Sequence, residues 1–185
     1  VVVFKGGKMK VQLGSGRIVF LVGRYAFKFP RPGCLLKVAK AIPKFAIKGE
    51  WKKISNVTKW AWYIFCKGIH QNTTEYRCWR RCRASFLVPT YFTLGGMVNI
   101  QKLESGQVPS WDEILSLFQA IAAMTENQVR RVDPHCFEPQ NFLKNQDGMR
   151  ILDYGDGSDQ PLRFTDFILR WHKELAIVLG KTPPA

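Results

Sequence analysis

Residues 9–30 leave the chain few folding choices. Met9-Lys10-Val11-Gln12-Leu13 alternates apolar and polar side chains, Gly14-Ser15-Gly16 is a turn, Arg17–Val22 is rich in β-branched and aromatic residues, and Gly23-Arg24 is a tight-turn signal. Tyr25-Ala26-Phe27-Lys28-Phe29 alternates again until Pro30 stops it. Successive side chains of a strand face opposite ways, so alternation interrupted by Gly and Pro at these intervals predicts an antiparallel meander.

The rest of the chain is read around that meander. Residues 31–69 are basic and aromatic, and Pro43 is expected to break any long helix there, which leaves a loose or helical insertion at about 31–70. Residues 72–83 predict a helix, with Tyr76, Trp79, Arg80 and Arg83 at helical spacing, and Leu87-Val88 and Gly96–Leu103 predict two further strands. Ser110-Trp111-Asp112-Glu113 is a capping box that opens a helix with a broad apolar face from Ile114 to Met124. Phe142-Leu143 and Met149–Leu152 predict a small hairpin around Gln146-Asp147-Gly148. A last helix is expected over 166–179, with Gly180 as its stop. This order predicts an α+β protein with a β-rich front lobe, residues 1–104, and a helical back lobe, residues 105–185.

The two lobes differ in charge. Residues 1–83 hold 19 Lys and Arg against Glu50 and Glu75, whereas residues 84–185 hold 9 basic and 12 acidic side chains. A front half of net +17 attracts phosphate-bearing partners: nucleotides, nucleic acid or an anionic membrane surface. No apolar run approaches the ~20 residues that span a bilayer, and no charged-then-apolar leader opens the sequence. Five cysteines without zinc spacing read as free thiols, and the expectation is a soluble, cytoplasmic protein of a reducing compartment.

Four separated pieces fit the grip of a nucleotide triphosphate and its metal. Gly14 and Gly16 let backbone amides approach phosphate oxygens, although a lone Gly-x-Gly is more often a plain hairpin turn. Lys28, on the strand after that turn, can hold phosphates as a point charge; a solvated strand lysine is the commoner case. Glu75 stands almost alone among bases, as an incidental helix residue or as a dedicated ion-pair partner. Asn141 and Asp153 flank the predicted hairpin, whose ends must meet, and hard oxygen donors of this kind suit Mg²⁺.

Taken in order, Leu13-Gly14-Ser15-Gly16, Ala26-x-Lys28, Glu75, Pro139-x-Asn141 and Asp153-Tyr154-Gly155 resemble the protein-kinase-like superfamily over roughly residues 11–157. The resemblance implies a minimal bilobal fold and the cofactors ATP and Mg²⁺. It implies a glycine loop at Gly14 and Gly16 over the phosphates, a Lys28–Glu75 ion pair, and metal ligands at Asn141 and Asp153. It also implies that the backbones of Gln101 and Leu103 meet the adenine edge, with Glu50 as the rival of Glu75 for the ion pair.

The departures are specific. The third glycine of the loop is out of place. Cys136, not Asp, stands five positions before Asn141, so the catalytic base falls to Asp133 through an expanded loop, with Glu138 and His135 as weaker substitutes. Only 30 residues follow Gly155, which resembles minimal kinase-like modules of bacterial effector, plasmid or phage type. The leading expectation is an ATP-dependent phosphotransferase acting on a hydroxyl, with an acidic protein substrate favoured. A pseudokinase serving as a nucleotide- or partner-binding module comes second. A nucleic-acid binder using Arg77, Arg80, Arg81 and Arg83 around Tyr76 and Trp79 comes third.

Overall fold

The computed structural model describes residues 2–3, 9–13, 16–104, 106–146, 148–155 and 162–180. The fold is α+β, as the order of patterns predicts. The meander forms as β2 (Met9–Leu13), β3 (Arg17–Val22) and β4 (Tyr25–Pro30), preceded by a two-residue edge strand β1 (Val2–Val3). β5 (Thr90–Leu94) and β6 (Val98–Lys102) complete an antiparallel sheet of order β1-β2-β3-β4-β6-β5. β4 therefore lies inside the sheet, with Lys28 opposite Val19 on one side and Asn99 on the other.

The segment read as a loose or helical insertion over 31–69 is helical, formed by two helices. α1 (Gly33–Ile47) carries Pro43 inside it, and α2 (Trp51–Cys82) runs for 32 residues instead of beginning near residue 72. The buried positions of α2 are Ala61, Gly68, Asn72, Glu75 and Cys78, spaced by seven, four, three and three. That is one helical face. Its residues are small or polar, so the apolar periodicity that reveals most packed helices is missing. Arg83 ends α2 in the left-handed region (φ 42°), and its N–H donates to Trp79 O.

The first half of α2 packs on α1 around Cys34, Val38 and Ala61. The second half packs on β4, β5 and β6. The strand expected at Leu87-Val88 also needs correction, because the sheet strand is β5, three residues later. Phe86, Leu87 and Val88 are fully buried but pair with another hairpin, Val88 N donating to Ile151 O (3.1 Å) and Ile151 N to Phe86 O (2.8 Å).

That hairpin is β7 (Phe142–Asn145) with β8 (Gly148–Ile151). It joins α3 (Trp111–Met124), α4 (Phe164–Val178) and the end of α2 around the main core, which includes Phe86, Ile121, Phe137, Phe142, Phe167 and Ile168. The capping box opens α3: Ser110 Oγ accepts from Glu113 N (3.2 Å), and Glu113 Oε2 accepts from Ser110 N (2.8 Å). α4 bends at Trp171 (φ −114°, ψ 20°) and is followed by Gly180 at φ 72°. Among the described residues no helix is long and apolar enough to cross a membrane.

Candidate functional site

The alternation of β4 buries Ala26, Lys28 and Pro30 and leaves Phe27 and Phe29 half-buried. α2 lies close beneath this region because of two glycines. A Cβ on Gly68 would come within 2.4 Å of Gly16 O and 2.8 Å of Pro30 Cα, so only a residue without a side chain permits the approach. One turn further along, Asn72 donates from Nδ2 to Lys28 O (3.2 Å) and Gly96 O (2.8 Å), tying the helix to β4 and to the turn between β5 and β6.

This packing brings Lys28 Nζ to 2.8 Å from Glu75 Oε1, an ion pair between residues 47 positions apart. The side chain of Glu75 has no exposure and that of Lys28 has 7%. A buried pair persists where further hydrogen bonds satisfy it. Asn99 Nδ2 donates to Glu75 Oε2 (2.8 Å), and Arg17 Nη1 lies 3.0 Å from Glu75 Oε1 and 3.3 Å from Asn72 Oδ1. Arg17 Nη2 reaches across to Asp153 Oδ1. Two cations, Arg17 and Lys28, thus face two carboxylates, Glu75 and Asp153.

Asp153 arrives from the segment that follows β8. Lys28 Nζ and Gln101 Nε2 both donate to Leu152 O, at 3.4 and 3.1 Å. Tyr154 is sealed in the core, its hydroxyl donating to Val88 O (2.9 Å) and lying 2.8 Å from Thr90 Oγ1. Gly155 follows directly against α2, where a Cβ would meet Gln71 O at 2.5 Å and Glu75 Cγ at 2.9 Å. Within Asp153-Tyr154-Gly155, Tyr154 and Gly155 are held by packing, whereas Asp153 is held by its ion pair with Arg17. Removal from water alone would raise the Asp153 pKa, but Arg17 and then Lys28 hold it well below the ordinary carboxylate range. Removal from water likewise works against the Arg17 charge, and Asp153 and Glu75 more than offset it.

Asn141 stands at the mouth of the β7–β8 hairpin. Its carbonyl accepts from Leu152 N (2.8 Å), which places it beside the residue preceding Asp153. Its Nδ2 donates to His135 O (2.9 Å), leaving Oδ1 as the amide's acceptor atom. Asp133 caps the short 3₁₀ turn Pro134–Phe137, Oδ1 accepting from His135 N (3.0 Å). Glu138 pairs with His135 Nδ1 at 2.7 Å and raises that histidine's pKa. Cys136 is half-buried beside the main core.

Of the remaining expected positions, Gly14 falls outside the described residues. Gly16 is buried against α2, its carbonyl accepting from Arg31 N (2.9 Å). Glu50 pairs with Lys53 near the start of α2, away from Lys28. Gln101 is buried in β6 between β4 and β5, and its side chain is used on Val88 O and Leu152 O. The Leu103 amide is engaged by Arg24 O (2.8 Å). Arg17, Asn72 and Asn99 were not expected in the site. The one signal for Asn72 is its position three residues before Glu75, one helical turn away on the same face.

A lysine fixed by a buried carboxylate, next to a second carboxylate whose side chain keeps 43% exposure, can hold an anion and a hard cation side by side. Asn141 Oδ1 and the Asp153 carboxylate, one oxygen of which Arg17 already holds, are oxygen donors of the kind such a cation takes. Among the described residues, no group of three or more His, Cys, Asp or Glu is placed to hold a metal ion. Comparison of the chain with family models, with characterised proteins and with solved structures returned no match.

Proposed function

We propose that the chain is a minimal ATP- and Mg²⁺-dependent phosphotransferase of the protein-kinase-like type. The observation that carries the reading is the meeting of Lys28 (β4), Glu75 (α2) and Asp153 (after β8) in one cluster, with Lys28 Nζ 2.8 Å from Glu75 Oε1. In this reading Glu75 fixes the Lys28 ammonium so that it holds phosphate oxygens, and Asn141 Oδ1 and Asp153 hold the metal. The oxygen chemistry of those two ligands suits Mg²⁺, which when bound neutralises charge on the phosphates. Asp133 orients the acceptor hydroxyl and takes its proton. The acceptor favoured is a protein hydroxyl in an acidic setting, presented to the basic lobe in the cytoplasm.

A pseudokinase is the second reading, favoured by Arg17. Its guanidinium already serves as the counter-ion of Asp153, where a metal would have to sit, and Cys136 occupies the usual register of the base. A third reading, a dedicated nucleic-acid binder, draws on the arginines of α2, where Arg80 stacks 5.8 Å over Tyr76.

Mg-ATP thermal shift and label transfer from γ-labelled ATP separate these readings. The phosphotransferase gives both a shift and transfer; Asp153→Ala and Asp133→Ala abolish transfer and Cys136→Ala keeps it. A shift without transfer establishes the pseudokinase. Neither response, with steeply salt-dependent oligonucleotide binding, overturns both in favour of the third.

A further inference from the structure

The hairpin of α1 with the first half of α2 has a buried core of its own, Cys34, Val38 and Ala61, flanked by Leu35, Val57 and Ile64. Larger apolar side chains remain outside it. Leu36 is 62% exposed, Ile47 87%, Trp51 68% and Trp62 59%, and Ile42 and Trp60 are exposed as well. Ile47 and Trp51 flank the tip, on either side of the Lys48–Glu50 turn. Two of them, Ile47 and Trp51, adjoin at the tip, and exposed apolar side chains brought together there mark a contact surface.

The charge on the same hairpin is one-sided. Residues 31–67 contain nine Lys and Arg and a single acid, Glu50. Glu50 is taken by Lys53 at 2.9 Å. Lys37, Lys40, Lys44, Lys48, Lys52 and Lys59 are exposed, and among the described residues none of them shares an ion pair with an acid.

We propose that the α1–α2 hairpin is a docking surface for an anionic phospholipid bilayer, entered tip first at Ile47 and Trp51. Charge complementarity selects the occupant. Lysine ammoniums meet lipid phosphates and carboxylates, tryptophan rings settle at headgroup level, and Ile47, with Ile42 about 7.5 Å behind it along α1, enters the acyl boundary. A nucleic acid would satisfy the lysines and stack on the tryptophans but would leave the aliphatic side chains of the tip, Ile42 and Ile47, in water. The surface lies outside the Lys28–Glu75–Asp153 cluster and does not depend on the catalytic reading.

The test is co-sedimentation of the full chain with phosphatidylcholine vesicles, with and without about 30% phosphatidylserine. Binding is expected to the mixed vesicles and to fall with salt. Ile47→Ser with Trp51→Ser removes exposed side chains, so the fold is kept, and weakens binding about tenfold or more. Lys44→Gln with Lys48→Gln and Lys52→Gln weakens it about a hundredfold, at about fivefold for each lysine near the surface. Absence of vesicle binding, equal binding to uncharged vesicles, or no response to the Ile47/Trp51 pair overturns the proposal. So does tighter binding to an oligonucleotide, or concentration-dependent self-association without vesicle binding.

Discussion

Glu75→Gln is the sharpest probe of the ion cluster, because it removes a charge while nearly keeping shape. Glu75 Oε1 accepts from both Lys28 (2.8 Å) and Arg17 (3.0 Å), and Oε2 accepts from Asn99 (2.8 Å). A glutamine keeps one carbonyl for the cations. Its new amide group faces Asn99, whose Oδ1 is buried without a partner. A flip of the Asn99 amide therefore accommodates the change, and the loss is mainly electrostatic. Arg17 retains Asp153, but Lys28 is left as a buried ammonium with two neutral acceptors, the new glutamine carbonyl and Leu152 O at 3.4 Å, and no carboxylate of its own. Breaking a buried pair from one side costs about 3–5 kcal/mol. For a chain of this size that lowers the melting temperature by roughly 6–20 °C. The double variant Lys28→Met/Glu75→Gln leaves Arg17 balanced by Asp153. Its loss is expected to be smaller than the sum of the single losses by about 2 kcal/mol or more, well outside the ~0.5 kcal/mol within which independent sites add. Urea unfolding followed by tryptophan fluorescence measures all three variants. Additivity, or a single-variant loss below about 1 kcal/mol, would refute the account of Glu75 as a shared counter-ion.

Two further outcomes follow from the same packing. Gly68→Ala places a methyl group 2.4 Å from Gly16 O and 2.8 Å from Pro30 Cα, both backbone atoms, and is expected to destabilise the protein by about 2 kcal/mol or more; circular dichroism melting no different from the parent would sink the claim of close approach. The depressed pKa of Asp153 contributes stability that is present above the ordinary aspartate value of 3.8 and is lost as pH falls below it. Unfolding titrated through that window should show a shallower acid loss in Asp153→Asn, and identical slopes would show that Arg17 does not hold the carboxylate.

The meander was legible from its alternation and its Gly and Pro stops, and Glu75 stood out as one of only two acids in the first 83 residues. That it pairs with Lys28 was implied by the kinase-like resemblance, which left Glu50 as a rival. Asn141 and Asp153 were legible as the two ends of one hairpin. Arg17 was hidden because a strand arginine ordinarily points to solvent, and its burial depends on a helix whose extent was itself unread. α2 was unread over 51–71 because its inward face is built from Ala61, Gly68 and Asn72, while its large apolar residues Trp51, Trp60 and Trp62 point outward. Periodicity analysis rewards large apolar residues facing a core, and this helix inverts that arrangement. Pro43 misled because it sits in a helix that meets the rest of the protein mainly through α2.

The length of α2 has a mechanical consequence. Trp51 and Glu75 belong to one uninterrupted helix, and at 1.5 Å per residue they are about 36 Å apart along its axis. The helix is a strut: one end carries the exposed tip, the other a carboxylate locked to Lys28, and the Gly68 crossing between them leaves no slack for sliding against the sheet. Whatever the tip rests on, the ion cluster is held at a fixed standoff of that order, and a tilt at one end is delivered to the other.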